Sequence, residues 1–338
     1  MPIDEGRTLY IDISEDDLQV LSTEVLDTLL RDHTTQQNIF WATHDYESLG
    51  SGYDYHSPIL PHLITGKHGM VIRPRVLKSK QQQTGRSKDM AEVFTPSWVC
   101  NAQNNLVDEA WFGRKDVFNI EDVENHSWKA KTEKIVFPEG KTWKDYVRAV
   151  RMEITCGEAP YLVSRYDTTT GMPISLNERI GLLDRKLRIV SENIDTSSDW
   201  LEWAQTAYKS IYGYEWQGDN LLLARESLLW TFIEYYLAKF GKSPLTKSIN
   251  YIAYIISWNL WQMDGLRGVV PDSCYTRKRN IFGEELVENN CIGCNNHNIK
   301  QHKGKQCIIK DWERERNATG EKGKIIQYIN LLKFDFVC

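Results

Sequence analysis

The sequence predicts an α/β fold, and three stretches of the 338 residues carry that prediction. The first is residues 153–162, EITCGEAPYL, which reads as a strand running into a tight turn. Val150, Met152 and Ile154 alternate toward it, Gly157 supplies the freedom of a sharp bend, and small Ala159 lets backbone approach a ligand closely. The second is residues 210–229, where a short strand ends in an acid, Glu215. A carboxylate at such a strand tip is where open α/β sheets grip a ribose. The third is the helical pattern over 218–240, apolar on much of its surface and so suited to burial against a sheet. In this order the three point to a domain that binds a nucleotide-like cofactor.

The other elements follow along the chain. Ser14-Glu15-Asp16-Asp17 has the pattern of a helix start, and Leu18, Leu21, Val25, Leu26 and Leu29 make one apolar stripe behind it. Residues 1–77 therefore read as a mixed, partly helical entry region. Residues 78–90 are a basic polar linker, with four positive charges over 78–88 and no apolar residue there. It is either an arm that tracks phosphates or an exposed loop. Residues 97–111 predict a helix. The turn Thr168-Thr169-Thr170-Gly171 precedes helical patterns at 180–190 and 200–208. Residues 91–272 form the expected α/β core, and 316–338 a final helix and strand.

Residues 273–315 carry a different signal. Cys291 and Cys294 are spaced CxxC, with His297, His302 and Cys307 following. A CxxC turn places two thiolates on one cation, and a later Cys and His complete a tetrahedral site. The expected ligands are Cys291, Cys294, His302 and Cys307, with Cys274 in reserve. The Asn- and Lys-rich surroundings hold few apolar residues, which favours a structural zinc staple over a pair of reduced surface cysteines.

Composition sets bounds. With 41% hydrophobic and 26% charged residues the chain reads as a soluble protein, and its N-terminus lacks a signal peptide's basic start and apolar run. No apolar stretch reaches the ~18 residues of a membrane span. Seven cysteines do not suggest a disulfide framework, so the expected compartment is the cytoplasm. A net charge of −5 excludes a basic coat over the whole surface, but not a basic cleft.

The chain resembles the adenine-N6 DNA methyltransferases of restriction–modification systems, which use S-adenosylmethionine. Their cofactor turn commonly reads Asp-Pro-Ala-Cys-Gly-Ser-Gly-Asn-Phe-Leu. Here Glu153 stands for the Asp, Cys156-Gly157 match, and Tyr161-Leu162 match the apolar pair, while Ile154, Glu158, Ala159 and Pro160 depart. Val93-Phe94-Thr95-Pro96 resembles the family's upstream Phe-Thr-Pro segment. Residues 255–266 resemble its third strand, ending near Asp264. The resemblance covers roughly residues 90–270. It implies a Rossmann-like methyltransferase core with Phe94, Thr95, Pro96, Cys156 and Gly157 at the methionine end, Glu215 at the ribose, Asp264 at the adenine, and Glu153 and Ala159 also in the cofactor site. The alternative reading of Asp264 is a cap on the turn that follows it, and Cys156 reads as a small packing residue rather than a nucleophile.

The family's Asn/Asp/Ser-Pro-Pro-Tyr/Phe segment, which holds a flipped adenine, has no counterpart here, for the sequence contains no Pro-Pro. The last residues, Lys333-Phe334-Asp335-Phe336-Val337-Cys338, resemble the strand that leads into it. The expectation is an incomplete core, truncated before that motif, that binds cofactor and is inactive alone. Its implied partners are double-stranded DNA and a second polypeptide completing the active site. The alternative is a non-catalytic DNA-binding protein on a methyltransferase-like fold that uses the zinc knuckle.

Overall fold

A computed structural model describes residues 13–89, 94–279, 285–316 and 322–332. The closing strand expected at 333–338, and Val93 of the Phe-Thr-Pro segment, lie outside the described residues.

The entry stripe forms two helices rather than one, α1 (Glu15–Leu21) and α2 (Thr23–Leu30). Ser14 caps α1 by accepting the Asp16 N–H at 3.2 Å. Ser22 breaks the run: its backbone is extended, its N–H closes on the Leu18 carbonyl, and its hydroxyl caps α2. A serine offers the backbone this local alternative, which a count of apolar positions does not register. Strands β1 (Arg31–Asp32) and β2 (Gln37–Asn38) form a short antiparallel ladder.

The described part of the expected linker is not a loop: Lys80–Asp89 is helix α3, and its Arg86 is buried. The guanidinium donates to Asp219 Oδ2 at 2.9 Å, to Asp45 at 2.7 Å and to Gln217. Lys78 and Tyr46 also reach Asp219 Oδ2, at 3.0 and 2.8 Å. Burial alone would raise the Asp219 pKa, but Arg86 and Lys78 outweigh it and hold the carboxyl well below its usual range. A segment without apolar residues is thus folded by charge pairing to a residue far along the chain.

Helix α4 (Ser97–Phe112) matches its expected span and ends at Gly113 in the left-handed conformation. A hairpin, β3 (Asn119–Asp122) and β4 (Ser127–Ala130), and helix α5 (Trp143–Arg148) lead to the central sheet. That sheet is parallel, in the order β5 (Arg151–Glu153), β6 (Ile211–Glu215), β7 (Leu260–Gln262). Helices α6 (Leu182–Asn193) and α7 (Ser197–Lys209) connect the first two strands. Helices α8 (Gly218–Phe240) and α9 (Thr246–Asn259) connect the second pair.

Two expectations about these strands change. The strand expected across 255–266 is the end of α9 followed by a strand of three residues. Ile249, Ile252, Ala253 and Ile256 are buried at helical spacing, and a short apolar run does not separate helix from strand by periodicity. Beside β5 the apolar Val150 and Ile154 are 56% and 64% exposed, whereas Glu153 at its end is 8% exposed. The alternation is real, but the acid faces inward.

One continuous core joins these parts, from Leu18 and Leu26 through Leu187, Phe232 and Ile256 to Trp312. The fully buried Arg225 binds it from inside, donating to the carbonyls of Leu29, Arg31, Ser257 and Leu260. A late hairpin, β10 (Ile308–Arg316) and β11 (Lys322–Gln327), packs on α9. Between β7 and that hairpin lie β8 (Thr276–Arg279), β9 (Glu285–Glu288) and α10 (Ile292–Asn295), beside a small separate cluster of Val269, Cys274 and Cys291. The architecture is therefore mixed α/β with small sheets, and no described helix is long and apolar enough to cross a membrane.

Candidate cofactor cavity and metal centre

At the carboxyl ends of the three parallel strands is a cavity of about 900 Å³. Its first wall is the turn after β5. Thr155, Gly157 and Ala159 all take positive φ, at 47°, 52° and 61°. For Thr155 this is a strained state, because a β-branched side chain crowds the left-handed backbone. Backbone bonds hold the turn: Cys156 N–H donates to Tyr214 O at 2.9 Å and Ala159 N–H to Cys156 O at 2.7 Å.

Two buried carboxylates complete this brace. Glu153 accepts from the N–H groups of Tyr161 and Leu162, at 3.4 and 3.2 Å. Glu215 accepts from Gly157 N–H at 2.8 Å and from Gln217 N–H at 3.2 Å, tying the turn to the end of β6. Burial pushes both carboxyls above their ordinary range despite these bonds. Each oxygen keeps lone-pair capacity for a further donor. Cys156 packs against Gly213, 3.4 Å from where a β-carbon would stand, and burial pushes its thiol far up. Its environment is that of a packing residue.

The second wall is formed by Glu215, Trp216, Gln217 and Asn220, and the third by Met263, Asp264, Gly265 and Leu266. Phe94 and Thr95 close one side, and His44, Tyr55 and Lys88 another. Of the nine expected cofactor residues, Phe94, Thr95, Glu153, Cys156, Gly157, Glu215 and Asp264 line the cavity. Ala159 is fully buried behind the turn and Pro96 precedes α4, so neither is part of the lining. Asp264 is engaged by its own turn: Oδ1 accepts from Leu266 and Arg267 N–H at 3.0 and 3.2 Å, and Oδ2 pairs with Arg267 at 3.1 Å. The capping reading therefore describes its bonding.

Sequence reasoning missed Trp216 and Tyr55. Trp216 donates through Nε1 to the Tyr55 hydroxyl at 3.0 Å. Burial and the nearby Asp272 carboxylate push that hydroxyl up to about 12, against the Trp216 bond. Trp216 was legible as the residue beyond the strand-end acid. Tyr55 had no local signal, since it reaches the cavity from the entry region.

The candidate metal centre is Cys274, Cys291, Cys294 and His302, whose ligand atoms all lie within 4.8 Å of one another. His302 Nδ1 stands 3.5, 3.6 and 3.5 Å from the sulfurs of Cys274, Cys291 and Cys294. Tetrahedral zinc with bonds of ~2.3 Å to sulfur and ~2.05 Å to nitrogen separates those atoms by about 3.5–3.6 Å. The donor set could thus hold a metal ion with little rearrangement. Gly293 makes the close approach possible, as a β-carbon there would stand 2.5 Å from His302 N. Burial raises the Cys291 thiol, but the Lys303 N–H 3.2 Å from its sulfur and contacts from Cys294 and His302 bring it down, whereas burial pushes the Cys274 and Cys294 thiols up.

Cys307 was expected in this set and is not part of it; the reserve residue Cys274 takes the fourth position. Backbone bonds from Val270 to Lys305 and from Cys307 to Gly268 carry the chain away from the cluster and toward β7. Cys307 is buried there, its sulfur 3.5 Å from Gln262 O. Compared with protein-family profiles, curated proteins and solved structures, the chain matches none of them.

Proposed function

We propose that this chain binds S-adenosylmethionine in the cavity, as the cofactor-binding part of an adenine-N6 DNA methyltransferase, and that the Cys₃His cluster holds structural zinc. One observation supports the cofactor reading above others. Seven residues singled out from four separate stretches of sequence line a single cavity at the ends of parallel strands. That is where ligands bind in open α/β sheets, and the volume suits a small molecule of this size.

The lining chemistry fits the group. Glu153, Glu158, Glu215 and Asp264 give the cavity an acidic lining, favourable to a ligand with a sulfonium and an ammonium. Glu215 has spare acceptor capacity for ribose hydroxyls, and Trp216 and Tyr55 offer flat apolar surface to a base. When bound, S-adenosylmethionine supplies an electrophilic methyl group for direct transfer to an amine. This chain's residues would hold and orient it. The target-adenine segment is not among these 338 residues, so the role proposed for them in transfer to double-stranded DNA is confined to holding the cofactor. Four protein ligands leave the zinc no open position, which gives it a structural role.

Calorimetric titration of the zinc-loaded chain with S-adenosylmethionine tests the reading. Binding should weaken at least tenfold in Glu215→Ala. It should also release protons, because a cationic ligand lowers the raised carboxyl pKa values of Glu153 and Glu215. A folded chain that does not bind the cofactor would sink the proposal. The non-catalytic alternative keeps one observation in its favour: Lys300, Lys303 and Lys305 are exposed around the metal ligands. Salt-dependent DNA binding without cofactor binding would select it.

A further inference from the structure

We infer that the metal centre positions the third wall of the cavity, so that metal and cavity ligand strengthen each other's binding. The inference rests on the cofactor reading above for the identity of the ligand, but not for the mechanical link.

The link is a continuous run of bonds. Asp264 and Leu266 line the cavity, and the ligand Cys274 follows on the same segment. Asp264 N–H donates to Val269 O at 2.8 Å, and Gly268 N–H to Asp264 O at 2.7 Å. Val270 N–H donates to Lys305 O at 2.9 Å, and Ser273 Oγ accepts from Lys305 N–H at 3.0 Å. Cavity turn and metal loop are therefore one hydrogen-bonded unit. A side-chain link runs parallel to it: Arg267 pairs with Asp264 at 3.1 Å and reaches the Tyr275 hydroxyl at 3.4 Å, beside Cys274.

Apolar packing holds only part of this unit. Val270 belongs to the main core, but the unit's other buried apolar residues, Val269, Cys274 and Cys291, form a cluster apart from it, and two of those three are ligands. Without the ion, three thiols and an imidazole would be crowded together with nothing to bind them. The loop would loosen, and the turn bonded to it would lose its fixed end. Met263 would stay, because its N–H donates to Glu215 O at 2.9 Å within the sheet. The change is thus confined to one wall.

Two sites that share an ordered element are coupled, and the coupling is reciprocal. A coupling of about tenfold is typical. The experiment titrates S-adenosylmethionine into zinc-loaded chain and into chain stripped with a chelator. The stripped chain is expected to bind about tenfold more weakly. Saturating S-adenosylmethionine should tighten zinc by the same factor in chelator competition, a measurement that uses only loaded, folded protein. Arg267→Ala, which cuts the parallel link without removing a ligand, should shrink both factors together. Equal affinities with and without the partner overturn the coupling. If the loaded chain does not bind S-adenosylmethionine, the cofactor reading fails, and hydrogen exchange decides the link alone. Protection lost at 264–268 on stripping supports it; loss confined to 272–306 overturns it.

Discussion

The cavity's first two walls and its third are built on opposite principles. The β5 turn and the end of β6 rest on the main core, where Leu187, Phe232 and Ile256 are fully or almost fully buried. Their carboxylates are braced by backbone N–H groups of the same scaffold. The third wall continues into a unit with a minimal apolar cluster, whose four ligand atoms would be joined by the proposed zinc. Burial of side chains is distributed, so one substitution weakens it by degrees. A metal centre concentrates the same duty on one ion, and its loss is all or none. The two regions should therefore fail differently.

The largest effect separates the two regions outright. Cys274→Ser should lower zinc stoichiometry and abolish exchange protection over 264–279 and 285–306, leaving α8 protected. Cys307→Ser should retain full zinc content and cost only about 1–2 kcal/mol of global stability, as expected for a buried thiol outside the cluster. Metal analysis of the two proteins checks this directly, and equal zinc loss in both would break the comparison.

Next comes the charge-paired helix α3. Arg86→Ala leaves Asp219 buried without its main partner and should cost about 3–5 kcal/mol in denaturant unfolding. The folded-state pKa of Asp219 lies below its unfolded value, so its contribution is present above pH 3.8 and is lost as pH falls through the folded value. The variant should accordingly show a flatter loss of stability on the acid side of pH 3.8 than the wild type.

His33 gives a smaller effect with its own pH window. It stacks on Trp258 at 3.7 Å, and burial, Arg225 and Arg31 lower its pKa from 6.5 to about 3. The unfolded chain then binds more protons between those values, so stability rises with pH from about 3 to 6.5. Relative to its neutral plateau, His33 should cost the fold ~2 kcal/mol at about pH 4, after discounting for its partial exposure. His33→Gln should remove that part of the slope in pH-dependent unfolding, and an unchanged slope would refute the assignment. Smallest of all, Thr155→Gly should stabilise the chain by ~0.5 kcal/mol in thermal unfolding by relieving the positive φ at the cavity turn.

What the sequence made legible was local. Helices α4 and α8, the strand ending at Glu215 and the turn at Gly157 appear as expected because caps, periodicity and a strand-end acid are near neighbours in the chain. Some errors are local, as where Ser22 divides the entry stripe and residues 255–259 are helix, but three lie where distant residues decide. Lys80 to Asp89 reads as loop because Arg86 is folded by Asp219, 133 residues away. Cys274 was placed behind Cys307 because spacing favours the nearer residue, while the backbone pairing of Val270 with Lys305 settles which thiol arrives. Tyr55 and His44 were invisible for the same reason: their place at the cavity is set by packing of the entry region, not by any motif.

The burial of Cys156 has a practical consequence. Its thiol sits beneath the cavity turn, almost without solvent access, and its neighbours Glu153 and Glu215 oppose ionisation. Since only the thiolate reacts, an alkylating reagent can label it only while the turn is lifted. The labelling rate is then a clock for opening of the cavity floor, read in the native chain without any substitution. A ligand seated on that turn would slow the clock.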